Sequence, residues 1–432
     1  MPHVTDKFRS INDRTNPRFS FGSGVSLRTN LFPQVQKLIN AEWFVRLRQD
    51  RSIRDACFVF VLTRGLIFVI FVFVGHLNVT TIVDGTTNVR EAEVSLENVS
   101  IARQLRKTMW RADVAHYMVL AREGYLKAPF DIENARSRQF AFFPLHPLLL
   151  WLLSHVTKDL MLGGAALSNI FFFFALILLH KLTLAFGYDE SVARRTIFYL
   201  AAFPVSYFFS VPMTESLFLF LTVASFYAAK REKWWTAGIL GAFASAARSN
   251  GILLLPALVL LSWQMYRSLK IRKILGLVLV PVGLCAYMFY CWLLSGDALA
   301  YSHAMVAWGR KPTFFLITLV KYFIHPHRLL ESWNFNFLNA VSAVLCFVCV
   351  YILIRRREWA LAFYTFMSIV LPLSTGLLQS LDRHTAAFFS VFMALAIAAR
   401  TYTLDQTIRF IFVIILGIMT ALYAANYTIA VT

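Results

Sequence analysis

Apolar residues come in long blocks along this chain rather than in short alternations. A first block at 56–76 is followed by others near 161–181, 193–212, 214–229, 234–248, 251–266, 273–295, 338–355, 359–376, 384–400 and 407–428. At ~1.5 Å per residue each block is about long enough to cross ~30 Å of hydrocarbon as a helix, the shorter ones only with little tilt. Three stretches interrupt the rhythm: residues 1–54, 77–160 and 296–337. Within the second, the run "FAFFPLHPLLLWLLSHV" at 140–156 is apolar but carries Pro144 and Pro147, which break a helical hydrogen-bond ladder.

Charge decides how the blocks thread. The basic clusters are "RLRQDRSIR", His180 to Arg195, "KREK", "RSLKIRK", "RRRE" and Arg400 to Arg409. Lys and Arg gather on the cytoplasmic side of membrane proteins. All six clusters fall on that side only if 140–156 does not cross. The fold expected is therefore an all-α polytopic integral membrane protein of about eleven transmembrane helices, with interfacial or re-entrant helices in its non-cytoplasmic loops. Residues 1–54 form a basic cytoplasmic tail, with a candidate amphipathic helix near "LFPQVQKLINAEWFVRLRQ". Residues 55–432 form one transmembrane domain with large non-cytoplasmic loops at 77–160 and 296–337.

Composition agrees: 58% of residues are hydrophobic, above the roughly half of soluble chains, and 41 are Phe. The net charge of +19 is explained by the short cytoplasmic loops, so it does not imply a nucleic-acid partner. All five cysteines lie in apolar blocks. Cys346 and Cys349 form a CxxC without a second pair, which reads as packing rather than a metal site.

The polar residues left on the far side carry the candidate chemistry. In "MWRADVAHYMVLAREGY", Asp113, His116 and Tyr117 stand at i, i+3 and i+4, one face of a helix. Such a carboxylate suits a general base acting on a hydroxyl; the bland alternative is the wet side of an interfacial helix. Glu215 in "MTESLF" starts a helix, where the macrodipole alone favours an acid. "AARSNGILLLP" sets Arg248 and Asn250 between two short blocks; Arg248 either snorkels or grips a phosphate. "GDALAYSHAMVAWGRKPTFF" combines Trp308, Arg310 and Lys311, and "LQSLDRHTAAFF" adds Arg383 and His384. Three far-side arginines, Arg248, Arg310 and Arg383, and one positioned acid suit an anionic substrate. There is no GxxxxGK[ST], GxGxxG before a strand, HExxH or nucleophile elbow, which argues against an ATP-driven pump or a zinc protease. No DxD supports a metal-diphosphate donor.

In this order, "ADVAHYMVLAREGY", "FAFFPLHPLL", "MTESLFLFLT" and "AARSNGILLLP" resemble the GPI mannosyltransferase II (PIG-V) family and its shorter prokaryotic relatives, which have the GT-C fold. The likeness covers most of 105–260, with weaker echoes at "WGRK" and "DRH". Ala112 stands where the family usually has Trp. The resemblance implies a polyprenyl-phosphate mannose donor, a glycolipid or polymer acceptor and inverting transfer on the periplasmic or luminal face of a bacterial inner membrane or endoplasmic reticulum. Membrane lipids would be its surroundings, and no metal or other cofactor is required. Asp113 would be the catalytic base, with His116 a second catalytic residue, and His116 or Tyr117 would orient the acceptor hydroxyl. Tyr117, Tyr125, Glu215, Arg248, Asn250, Trp308, Arg310, Arg383 and His384 would contact substrate. The competing reading is a non-enzymatic flippase of a lipid-linked sugar, which would share the anion-binding cations but not need Asp113. The threading itself is open to test: reporter fusions at the two termini should read opposite sides of the membrane, and readings on one side would mean that 140–156 crosses or that another block does not.

Overall fold

The computed structural model describes residues 50–83, 89–96, 100–268, 270–324, 336–427 and 430. The candidate amphipathic segment at 31–49 and part of the second large loop, 325–335, lie outside these. Among the described residues the chain is helical except for one antiparallel ribbon, β1 (Leu77–Val83) with β2 (Val89–Leu96), inside the first large loop.

The first apolar block is helix α1 (Arg51–His76). After the ribbon come two short helices, α2 (Ile101–Met109) and α3 (Val114–Glu123), and then α4 (Leu145–Ser154). Ten residues rise about 15 Å, half of the hydrocarbon thickness, so α4 is too short to span. It starts at Pro144, as a residue without an N–H can.

The bundle continues with α5 (Leu160–Ala185), α6 (Glu190–Ala202), α7 (Glu215–Lys230), α8 (Trp234–Ala247) and α9 (Leu254–Tyr266). Then follow α10 (Val282–Ser295), α11 (Phe315–Ile324), α12 (Asn336–Arg355), α13 (Trp359–Leu373), α14 (Leu381–Ala386), α15 (Phe389–Ala398) and α16 (Tyr402–Ala424). Among the described residues, six segments are long and apolar enough to cross a membrane: Arg51–His76, Leu160–Ala185, Ser249–Tyr266, Ile271–Ser295, Leu338–Arg355 and Tyr402–Ala424. The protein is thus a multi-pass membrane protein.

Several expected spans are interrupted. The block 193–212 is helical only to Ala202. The chain breaks at Phe203 and Pro204, then makes a buried 3-10 turn at Ser206–Ser210. Proline cannot continue the ladder, and the backbone groups it frees must bond elsewhere. Arg64, in the middle of α1, meets that need. Its guanidinium donates to the carbonyls of Ala201 (2.8 Å) and Ser206 (2.7 Å) and to the hydroxyls of Ser206 (2.8 Å) and Ser210 (3.2 Å). It also lies 4.6 Å from the centre of the Phe172 ring.

Between lipid-embedded helices the apolar effect offers little, so close packing and buried hydrogen bonds carry cohesion. Helix α5 packs along α7, and α7 along α8. The α8 backbone meets the chain at Gly276 so closely that a Cβ on Gly238 would sit 1.9 Å from the Gly276 carbonyl oxygen. Phe172 stacks on Phe209, centres 4.6 Å apart. Replacing Arg64 by Leu should leave the Ser206 carbonyl without this donor in a buried place, with only the Ser206 hydroxyl still serving the Ala201 carbonyl, and destabilise the protein by about 3 kcal/mol. Unfolding in detergent checks this; the exposed Arg122→Ala should change little.

Candidate active site

Helices α2 and α3 meet at a sharp corner. Ala112 sits there at φ +52°, the left-handed region that a side chain resists. Asp113 follows as the residue before α3, and its carboxylate caps no backbone N–H of that helix. It turns instead to Arg383: Oδ2 accepts from Nη1 at 2.5 Å, across 270 residues of sequence. The same guanidinium donates through Nε to Glu215 Oε1 at 2.5 Å. Glu215 Oε1 also accepts from Arg248 Nη1 at 3.1 Å, and Arg248 Nη2 meets His384 Nδ1 at 3.0 Å. An arginine only donates, so Nδ1 is the acceptor and the His384 proton is on Nε2. One chain of contacts, Asp113–Arg383–Glu215–Arg248–His384, therefore joins the first large loop, the start of α7, the end of α8 and helix α14.

Above it opens a cavity of about 640 Å³. Nine of the eleven residues singled out from sequence line it: Asp113, His116, Tyr117, Arg248, Asn250, Trp308, Arg310, Arg383 and His384. Phe142 of the "FFP" element forms one wall. His116 stacks on its ring at 4.6 Å, and Trp308 meets both edge-on, at 6.1 Å from His116 and 5.8 Å from Phe142. Arg310 donates to Thr375 Oγ1 (3.1 Å) and to the Gln379 carbonyl (3.3 Å), and forms no ion pair among the described residues. Asn250 lies in a 3-10 turn, Ser249–Leu253. A Cβ on Gly251 would come within 2.3 Å of the Ala244 carbonyl carbon. Glycine is needed there for close approach rather than for an unusual φ.

Two expected contact residues do not face the cavity. Glu215 is wholly buried beneath it, held by two guanidinium groups, so its place is to position them. Tyr125 lies behind the wall. Its hydroxyl donates to the Phe142 carbonyl at 2.5 Å and its ring stacks on Phe140, which fixes the "FFP" element. Tyr117 borders the cavity, but its hydroxyl meets Thr214 Oγ1 at 3.2 Å. Thr375, Gln379 and Ser380 also line the cavity and escaped the sequence reading, because single uncharged polar residues beside a span carry no distinguishing pattern.

Burial would raise the Asp113 carboxyl, but the charge of Arg383 and its hydrogen bond outweigh that and hold it below its ordinary value of 3.8. Burial lowers His116, against the pull of Asp113, so the imidazole is neutral near pH 7. Burial and three neighbouring guanidinium groups, those of Arg248, Arg310 and Arg383, hold His384 well below the usual imidazole range. Three guanidinium charges against the carboxylates of Asp113 and Glu215 (3 − 2) leave the site at +1 with both histidines neutral.

The sequence model of one family, Mannosyltransferase (PIG-V), matches residues 58–289, more than half of the chain. The chain belongs to the Mannosyltransferase (PIG-V) family. That match takes in Asp113, Glu215, Arg248 and the "FFP" wall, whereas Trp308, Arg310, Arg383 and His384 lie beyond it. Among PIG-V relatives, GPI alpha-1,6-mannosyltransferase 2 of Rattus norvegicus is 28% identical over 152 residues, 33% of this chain and 29% of that protein. The Homo sapiens protein of that name is 29% identical over 152 residues. The Cricetulus griseus one is 30% identical over 153. The matched stretch is thus under a third of the length of these curated relatives. Solved structures of Archaeoglobus fulgidus oligosaccharyltransferase are also similar. The complex with zinc and sulfate is 13% identical and covers 86% of this chain and 53% of that one, with a TM-score of 0.45. The form tethered to an acceptor peptide scores 0.45 at 12% identity. Scores at this level carry no argument about fold or function.

Lysine at 383 carries all its donors on one nitrogen, whereas Arg383 reaches Glu215 from Nε and Asp113 from Nη1, so lysine cannot serve both carboxylates in the same way. Arg383→Lys should lose the contact either to Asp113 or to Glu215, which then keeps only Arg248, and cost about 2 kcal/mol in unfolding experiments. The Asp113–Arg383 pair also has a pH signature. Because the folded pKa of Asp113 is depressed, the pair's contribution is fully present above 3.8 and is lost as pH falls through the lower folded value. In Asp113→Asn this part of the acid-side loss of stability should be missing.

Proposed function

We propose that this protein is a GT-C-like mannosyltransferase. It moves mannose from a polyprenyl-phosphate donor to a hydroxyl of a glycolipid or polymer acceptor, with inversion, on the non-cytoplasmic face of the membrane. The observation that carries this reading is a single cavity-facing carboxylate, Asp113, set among three guanidinium groups. A polyprenyl phosphosugar is a phosphodiester of charge −1, which complements a site of net +1. Arg310, without a carboxylate partner, is the group whose charge is free for that phosphate, and its planar fork suits two phosphate oxygens.

A phosphate is a good leaving group and needs no proton. The one proton to be moved is on the acceptor hydroxyl. As the sugar–phosphate bond lengthens, the anomeric carbon becomes cationic and the attacking hydroxyl grows acidic. Asp113 therefore takes the proton late, when even a depressed carboxylate is basic enough. Arg310 and Arg248 stabilise the charge gathering on the phosphate. The wall of His116, Phe142 and Trp308 offers apolar faces on which a sugar ring stacks. The reaction so written requires no cofactor beyond the lipid-linked donor.

Asp113→Asn keeps the acceptor atom for Arg383 and removes the basic lone pair. Turnover should fall about 10²–10⁴-fold in a protein that still folds, at a modest loss of stability, because the amide oxygen still accepts from Arg383 and Glu215 still pairs with it. The control is Glu123→Gln. Glu123 is exposed, pairs with Arg136 and stands outside the cavity, so its loss should cost little. The assay is release of polyprenyl phosphate from labelled donor by purified protein. Near-normal release by Asp113→Asn would remove Asp113 as the base, and no release by wild type with a range of acceptors would favour a transporter. Arg310→Ala should weaken donor binding by at least about tenfold while leaving thermal stability close to wild type.

A further inference from the structure

Far from the cavity, three polar side chains converge where α1, α5 and α6 meet. Asp55 stands in the first turns of α1, His180 near the end of α5 and Glu190 at the start of α6. His180 Nε2 lies 3.5 Å from Asp55 Oδ2 and 3.4 Å from Glu190 Oε2. Neither approach has the geometry of a hydrogen bond. All three atoms, and His180 Nδ1 as well, are buried without a hydrogen-bond partner among the described residues. The imidazole is 0% exposed and the Asp55 side chain 12%. Buried polar atoms are almost always satisfied, so several orphans aimed at one point call for a shared partner.

Their spacing says what kind. Around a tetrahedral Zn²⁺, bonds of about 2.1 Å put neighbouring donor atoms about 3.4 Å apart. That is the spacing around His180 Nε2, and it is longer than a good hydrogen bond. One imidazole nitrogen with two carboxylate oxygens is a donor set suited to Zn²⁺ and related first-row divalent cations, with a fourth position for water. We propose that Asp55, His180 and Glu190 form a binding site for such a cation, Zn²⁺ being the type, which clamps the start of α1 to the turn between α5 and α6.

Two cations already flank the cluster. Arg194 Nε lies 3.2 Å from Asp55 Oδ2, and Arg54 Nε 3.7 Å from Oδ1. Both side chains are more than half exposed, so water can take over their charge when they swing out. The bound ion displaces Arg194, which holds Asp55 in the metal-free form. The site is separate from the cavity. None of Asp55, His180 and Glu190 lines the cavity, and no residue of α5 does. Its effect is therefore on the docking of α1 and not on the transfer step.

The test uses the full chain, purified in detergent and stripped with a chelator, then titrated with ZnCl₂. Bound zinc is measured after gel filtration, together with the melting temperature. The expected result is about one zinc per chain and a Tm higher by about 3 °C or more. His180→Gln should lose about 100-fold or more in affinity together with the Tm shift. Asp55→Asn, nearly isosteric, should do the same and stands in if the first variant folds poorly. Arg194→Gln removes the competitor but no ligand, and should tighten binding about tenfold. Equal zinc content and equal Tm shifts in wild type, His180→Gln and Asp55→Asn would overturn the site. So would a wild-type protein that retains no zinc while Arg194→Gln is less stable, since the cluster would then be an ion-pair network and nothing more.

Discussion

The site is built around one guanidinium group. Arg383 reaches Asp113 in one direction and Glu215 in another, and Glu215 in turn holds Arg248. Nothing local makes these residues meet. Asp113 follows a strained corner between two short helices, Glu215 opens α7, and Arg383 sits in a six-residue helix near the end of the chain. Each carries a charge that is costly to bury alone. Brought together, two acids and two arginines satisfy one another. The requirement that none be left unpaired fixes how three distant parts of the bundle sit relative to each other. It also leaves Arg248 and Arg383 on the cavity wall with their orientation set by Glu215 from behind.

The same rule acts deeper in the bundle, with backbone groups in place of carboxylates. The break at Pro204 frees carbonyls in a region where water is scarce, and Arg64 of α1 collects them. Breaks of this kind are where the polar machinery enters. Asn250 lies in the turn between α8 and α9, and Arg383 and His384 in the short helix before α15. A bundle of uninterrupted spans would have no room for them. The interruptions are therefore part of how the site is made.

Much of this was legible in the sequence, for identifiable reasons. Long apolar blocks announce membrane helices because nothing else tolerates such runs, and the first, α1, follows its block closely. The ends of several others did not follow, because hydropathy does not register a proline break or a 3-10 turn among apolar residues, as between Ala202 and Glu215. The convergence of Asp113, Arg248, Arg310 and Arg383 was legible because charged residues beside spans are few, and those on one face have little choice but to meet. The roles of Glu215 and Tyr125 were misread for the opposite reason. A charge or a phenol in a polar segment looks exposed, yet Glu215 lies under the floor and Tyr125 behind a wall. Arg64 passed unnoticed because one arginine in a strongly apolar helix does not alter its pattern.

In the transfer proposed above, Asp113 is the base although it is clamped to an arginine, and the physical chemistry of that transfer explains why such a carboxylate suits it. Before the sugar–phosphate bond weakens, the acceptor is an ordinary alcohol that no carboxylate deprotonates. A more basic Asp113 would then be protonated part of the time and gain nothing. In the transition state the oxygen already bears partial positive charge from its new bond, and the proton is acidic enough to pass to a carboxylate held below its ordinary range. What the proposed transfer would need from Asp113 is permanent ionisation and a fixed position, and Arg383 supplies both. The pair also avoids a buried lone carboxylate in the free enzyme, which would repel the phosphate of an incoming donor. The ion pair that ties the first large loop to α14 is thus the same one that keeps the Asp113 carboxyl ionised.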